Sequence, residues 1–340
     1  MAILSRRIRG QAKSMKVLVT GATGFLGGYL VSALAARGDF VRALSRRIGM
    51  DSRLQRDHVE IIRGDMKDQD SLRKAIDGVD VVCHAAAAMR GSWREYTETT
   101  IQGTEWMLKL SHEAGVKRFV HISSINVYQR GGLQKGAILD ETSPLDPHPE
   151  RLGPYAHAKI EAEKHAYRYL SQGLPVVVIR PGIIHGPGGR VVHPDVGYFA
   201  TKKLFLLVGG GEKPLPLTYV DNTVDGILLA LSTDKAVGQA YNLVDHVVIT
   251  QKEFLDRYRA AAAVRFVTVP LPLPLLLAGA AMADRLNRFG IASIVTTSYE
   301  FKAQYANIRF DASKARHELG WQTRIALEEG LERTFSRSTP

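Results

Sequence analysis

The chain has 340 residues, 45% of them apolar and 23% charged, the balance of a soluble globular protein large enough for one big domain with a smaller lobe. Its single cysteine, Cys83, excludes an internal disulfide, and no Cys/His cluster has metal-ligand spacing, so no metal is expected and a reducing, cytoplasmic setting is. The net charge of +11 is high, but the cations after Met15 are scattered and not interleaved with aromatics, the pattern of a solvated surface that suits anionic cofactors rather than nucleic acid.

Residues 1–14 form a basic tail (Arg6, Arg7, Arg9 and Lys13, with no acid) that lacks the apolar core of a secretory signal. From there, short β-branched runs alternate with helical stretches. Strands are expected at 16–20, 40–44, 59–63, 79–83, 118–122 and 175–180, with helices at 25–37, 93–114 and 155–171. Near-continuous apolar strands separated by helices predict a parallel sheet covered on both faces, an α/β doubly wound sheet of Rossmann type. Residues 181–216 are rich in Gly and Pro and break the rhythm. A helix at 221–231 and a strand at 240–244 then return to the sheet. The expected division is a dinucleotide-binding domain over 15–181 plus 221–245 and a smaller C-terminal substrate lobe over 182–220 plus 246–340. The apolar stretch 266–283 approaches the length of a bilayer span. Pro270, Pro272 and Pro274 interrupt it, which predicts a strand at 265–269, a Pro-rich turn and a helix at 275–286. That helix is expected to build core or pocket wall, with peripheral membrane contact the less favoured alternative.

Thr20-Gly21-Ala22-Thr23-Gly24-Phe25-Leu26-Gly27 follows the first strand and opens a helix. In that context Gly21 permits the tight turn, Gly24 lets backbone approach a pyrophosphate, and Gly27 lets helix and strand pack closely. The helix N-terminus offers free N–H groups to phosphates. Gly21, Thr23, Gly24, Phe25, Leu26 and Gly27 are therefore expected to bind a dinucleotide. The second strand ends in Ser45-Arg46-Arg47. Ser45 stands where an acid would favour NAD(H), and the two guanidinium groups suit a 2′-phosphate, so NADP(H) is the expected cofactor. Asp65 with Met66 after the third strand, and Ala85 and Ala86 after the fourth, lie at strand C-terminal ends, where ligands bind in open α/β sheets. His84 reads as structural.

Tyr155 and Lys159 lie four apart on one helical face. A phenol is a poor base at neutral pH, and a nearby ammonium favours its phenolate. Ser124, with Ser123 as the alternative, follows the fifth strand and would orient a substrate carbonyl. Ser124, Tyr155 and Lys159 form a candidate catalytic set for hydride transfer at a carbonyl/carbinol carbon, with Tyr155 as general acid–base.

On these residues the chain resembles the extended short-chain dehydrogenase/reductase family. The likeness also rests on Gly103-Thr104, Ser123–Tyr128, Arg180-Pro181-Gly182, Tyr219-Val220-Asp221-Asn222, Phe310–Lys314 and Glu318–Trp321. It implies a Rossmann domain, a C-terminal substrate lobe, Tyr155 and Lys159 also contacting the cofactor, Pro181 as a further cofactor contact, and homodimers through helices 93–114 and 155–171. Two departures stand out. Thr100 replaces an Asn common in the family. Pro214–Thr218 offers no Arg where nucleotide-sugar members usually carry one before the Tyr-Val-Asp element. The sequence is in this respect similar to the branch of 3β-hydroxysteroid dehydrogenases, dihydroflavonol reductases and β-keto-acid reductases. The expectation is an NADP(H)-dependent ketoreductase on a hydrophobic, lipid-like or β-keto-acid substrate such as a 2-alkyl-3-oxoalkanoate or a 3-hydroxysteroid. A nucleotide-sugar epimerase/dehydratase is the alternative enzyme, and an NADP(H)-binding sensor or scaffold the non-enzymatic one.

Overall fold

The computed structural model describes residues 14–49, 51–190, 192–288 and 297–336. All of the expected basic tail except Ser14 lies outside them. Seven strands build one sheet: β1 (Lys16–Thr20), β2 (Phe40–Ser45), β3 (Val59–Arg63), β4 (Val81–His84), β5 (Arg118–Ile122), β6 (Val176–Pro181) and β7 (Ala240–Leu243). Their order is β3-β2-β1-β4-β5-β6-β7, and each adjacent pair is parallel. This is the doubly wound Rossmann-type sheet expected.

The continuous apolar strands make sense once both faces are seen to be covered. Val17 and Val19 of β1 point into one core with Leu30, Val31 and Leu34 of helix α1 (Phe25–Arg37). Leu18, between them, points into the opposite core with Leu72 of α2 (Gln69–Ile76), Met107 and Leu108 of α3 (Gly103–Glu113) and Ala166 of α4 (Pro154–Ser171). One-residue alternation thus feeds two apolar layers. Helix α5 (Val220–Ser232) joins the first layer, as does Trp321, whose indole N–H donates to the Asn222 carbonyl at 2.7 Å.

Two local expectations need correction. The helix expected over 93–114 is α-helical only at Trp93–Tyr96 and Gly103–Glu113. Thr97–Gln102 between them is π-helical. That wide turn holds buried Thr100 with its hydroxyl accepting from Ala88 N at 2.9 Å, so Thr100 anchors the loop after β4. In the smaller lobe, Tyr198–Thr201, Leu204–Val208 and Val267–Leu271 form a three-stranded sheet over Phe205, Phe254 and Leu331. Pro270 falls within the last of these strands and not in a turn, which an edge strand tolerates. The helix that follows spans Leu273–Arg288, with Pro274 in its first turn. Among its described side chains it is neither core nor pocket wall: Leu275 is 69% and Met282 57% exposed, and of these only Ala280 and Ala283 are buried. Among the described residues no helix is long and apolar enough to cross a membrane.

Candidate active site

The sheet order reverses between β1 and β4, and the loops leaving these strands part to open a crevice. Gly21 has φ +69°, and a Cβ there would meet the Ala85–Ala86 backbone at 2.8 Å. At Gly27 a Cβ would lie 2.0 Å from the Gly21 carbonyl oxygen. Only glycine permits both approaches. No side chain caps α1 after Gly24, so its first-turn N–H groups remain available to an anion. Thr20 Oγ1 receives the Ala86 N–H at 3.2 Å and meets His84 Nδ1 at 2.8 Å, while His84 Nε2 meets Thr104 Oγ1 at 2.9 Å. Buried His84 therefore ties two strand ends to α3, and burial pushes its pKa down to about 3.

These loops border a cleft of about 1050 Å³. Gly21, Thr23, Gly24, Phe25, Leu26, Gly27, Ser45, Arg46, Asp65, Met66, Ala85, Ala86, Ser124, Tyr155, Lys159 and Pro181 all line it. Arg47 is not among its lining residues. Ser45 is occupied locally: its hydroxyl donates to the Arg47 carbonyl at 2.7 Å and accepts from Arg47 N at 3.2 Å, shaping the turn that carries both arginines. Asp65 Oδ1 accepts from Lys67 N at 3.0 Å. One cation near the cradle escapes sequence reading. Arg53, gripped by Asp51, donates to the Thr23 carbonyl at 2.9 Å. It lies on a short turn outside any glycine or strand pattern.

In the catalytic segment the two adjacent serines separate. Ser123 Oγ donates to Glu163 at 2.5 Å. Ser124 accepts from Asn126 N at 3.1 Å, opening a turn, and its hydroxyl lies near the Tyr155 phenol. Burial raises the phenol's pKa, with the nearby Ser124 hydroxyl opposing the shift. Lys159, 3% exposed, donates to the Ile122 carbonyl at 2.7 Å. Burial lowers its pKa to about 8, and the Glu163 carboxylate partly offsets this. Behind these groups runs a buried polar chain that the sequence reading did not assemble. Glu163 pairs with Arg180, Arg180 donates to Tyr128 Oη at 2.8 Å, and Tyr128 donates to Asn242 Oδ1 at 2.7 Å. Glu163, one turn beyond Lys159 on the same helix, was the available signal.

The Tyr219–Asn222 motif is a rivet. Asn222 donates to Asp245 at 3.0 Å and to the Ile325 carbonyl at 2.9 Å, and accepts from Arg324 N and Ile325 N at 3.0 Å. The same cleft is also lined by Leu152, Tyr198, Phe301, Ala303, Ile308 and Phe310, with Arg130, His193, Asp195, Lys213 and Glu300 among them. Asp195 takes Lys213 at 2.5 Å and His193 at 2.7 Å. Burial opposes the charge on its carboxyl, but the Lys213 ammonium and the His193 contact hold it well below the usual range. Among the described residues no group of three or more His, Cys, Asp or Glu could hold a metal ion.

Relatives with this arrangement are recognisable. The chain is 29% identical over 324 residues to a 4-hydroxy-2-methyl-3-oxo-4-farnesyl-3,4-dihydroquinoline-1-oxide ketoreductase of Stigmatella aurantiaca, covering 94% of this chain and 95% of that one. It is 30% identical over 332 residues to a 3 beta-hydroxysteroid dehydrogenase/Delta 5-->4-isomerase of Mycobacterium tuberculosis, covering 93% and 88%. Among solved structures, UDP-glucuronic acid 4-epimerase from Bacillus cereus in complex with NAD superposes with a TM-score of 0.73 at 23% identity, covering 95% and 98%, a likeness of fold. The family model described as "NAD dependent epimerase/dehydratase family" matches residues 17–243. The chain belongs to that family of nicotinamide-dinucleotide enzymes.

Proposed function

We propose that this protein is an NADP(H)-dependent ketoreductase acting on a hydrophobic, lipid-like ketone. The observation that carries the proposal is the placement of Ser124, Tyr155 and buried Lys159 on one cleft with apolar Leu152, Phe301, Ala303, Ile308 and Phe310. The turn around Gly21, the uncapped start of α1 and the Ala85–Ala86 loop would hold the dinucleotide. Arg46, at the end of β2 and on the cleft, would take the 2′-phosphate, since no acid stands at the Ser45 position. When bound, the cofactor supplies the hydride.

The protein's own task is to hold the ketone and deliver a proton. Ser124 orients the carbonyl oxygen, and Tyr155 donates the proton to it. The raised pKa of the buried phenol keeps it protonated at neutral pH, which suits the reductive direction. The Lys159 ammonium stabilises the phenolate that donation leaves. Pro214–Thr218 presents no guanidinium for a sugar diphosphate, which favours a ketone over a nucleotide sugar. The proposal includes a cytoplasmic homodimer through the helical faces around 93–114 and 155–171, to be read by sedimentation equilibrium. The activity test is Tyr155→Phe. It should abolish NADPH-dependent ketone reduction while NADPH binding, followed by fluorescence titration, stays within twofold of the parent. Retained turnover refutes the role.

A further inference from the structure

We infer that Arg130 is the anchor for a carboxylate on the substrate, which makes the substrate a long-chain β-keto acid rather than a neutral ketone or sterol. The inference rests on the ketoreductase reading and narrows it. Arg130 lines the same cleft as Ser124 and Tyr155 and is 9% exposed. Its Nε is buried without a partner, and the side chain makes no hydrogen bond or ion pair among the described residues. Other buried arginines differ. Arg42 donates to Glu60 and to the Ala75 and Asp77 carbonyls. Arg118 donates to three carbonyls and Asp234. Arg180 has Glu163 and Tyr128. A guanidinium Nε withdrawn from water with no acceptor is costly, and burial lowers the group's pKa. Its planar fork of donors is the geometry that takes a carboxylate in two parallel bonds.

The surroundings select a single negative charge. Asp195, Asp146 and Glu300 are the carboxylates that act on Arg130, and none pairs with it within the 4.0 Å of an ion pair. Asp195 is taken by Lys213 and His193. Asp146 Oδ1 accepts from Tyr299 Oη at 2.8 Å and from His148 N at 2.9 Å, while its Oδ2 is buried without a partner. The Glu300 carboxylate lies against Gly153. Three acids oppose the charge of a diphosphate, and Lys213 is already spent on Asp195. One monoanionic head with an apolar chain beside Leu152, Ile308 and Phe310 fits both the charge and the lining. In a β-keto acid a single carbon separates carboxylate from ketone, so fixing the first restricts the second relative to Tyr155.

The test uses NADP+-loaded protein and calorimetric titration with dodecanoate, methyl dodecanoate and pyrophosphate. Parent protein should bind dodecanoate at least tenfold more tightly than the ester. Arg130→Met should bring the two within twofold and Arg130→Lys should keep part of the preference. Because Arg130 has no partner to lose, Arg130→Met should unfold in urea at no lower concentration than the parent; a lower midpoint would mark a structural role and overturn the assignment. Equal binding of acid and ester by the parent overturns it too, as does tighter binding of pyrophosphate than of dodecanoate. NADPH oxidation with 3-oxododecanoate and its methyl ester reads the ketoreductase proposal separately. An Arg130-dependent preference for dodecanoate with neither ketone reduced keeps the anchor and removes the ketoreductase. Reduction of both ketones with equal kcat/KM and no effect of Arg130→Met does the reverse.

Discussion

Changing Glu163 to glutamine alters one charge behind the catalytic segment and almost nothing in its shape. Glu163 is fully buried and pairs with Arg180, itself 3% exposed. The variant strands the guanidinium without its counter-ion, and breaking a buried pair in this way costs about 3–5 kcal/mol. With an unfolding entropy of about 2.1 cal/mol/K per residue over 340 residues, the melting temperature should fall by roughly 4–7 °C. A second readout follows from Lys159. Glu163 supports its charge, and burial has already lowered its pKa to about 8. An ammonium loses its charge as pH rises through its pKa, so the alkaline limb of ketone reduction should move to lower pH in the variant. Urea denaturation at neutral pH and a pH–rate profile with NADPH measure the two effects. The double change Glu163→Met/Arg180→Met removes both charges and should recover more than half of the stability lost. A single variant within about 0.5 kcal/mol of the parent, or a double variant less stable than the single one, would refute the charge argument.

Three further changes probe other parts of the site. Gly27→Ala puts a Cβ 2.0 Å from the Gly21 carbonyl oxygen. It should destabilise the fold by about 1–3 kcal/mol and abolish NADPH binding; a variant that binds NADPH normally shows the cradle to be looser than described. If Arg46 takes the 2′-phosphate as proposed, Arg46→Ala removes one charge-assisted contact, worth about 1.5–3 kcal/mol, so the KM for NADPH should rise at least tenfold with that for NADH unchanged. An unchanged NADPH KM fails the cofactor assignment. His84 and His185 are buried neutral, with burial lowering their pKa values to about 3 and about 4. Each favours folding above the unfolded value of about 6.5 and loses that contribution on acidification. Stability should thus fall by about 2 kcal/mol per histidine between pH 7 and pH 5, and urea midpoints that stay flat over this range contradict the burial assignment.

The parallel sheet was legible because each strand is a short run of residues apolar on both faces, a local signal. What failed locally was what distant contacts decide. The π-turn at Thr97–Gln102 is tied to the bond between Thr100 and Ala88 on another loop. No helical periodicity encodes that partner. Residues 273–288 look like core because they are apolar, yet Leu275 and Met282 face solvent. Composition reports what a helix could bury and not what lies beside it.

The same distinction divides the candidate site. The glycine turn was readable because consecutive backbone builds it: Gly21 to Gly27 form one turn and the start of one helix, so spacing alone implies the geometry. Tyr155 and Lys159 were readable because one helical turn joins them. The buried chain from Ser123 through Glu163, Arg180 and Tyr128 to Asn242 draws on four separate elements, and its last bond spans 114 positions. Arg130 is harder still, one of 45 lysines and arginines. Nothing in its neighbours marks it, and only burial without a partner sets it apart. A catalytic centre shared by a fold can repeat as local motifs, whereas a substrate subsite is assembled from residues whose only common property is where the chain delivers them. Substrate specificity in this chain therefore has to be sought among buried polar groups left unsatisfied, and among the described residues Arg130 is the one of these that lines the cleft.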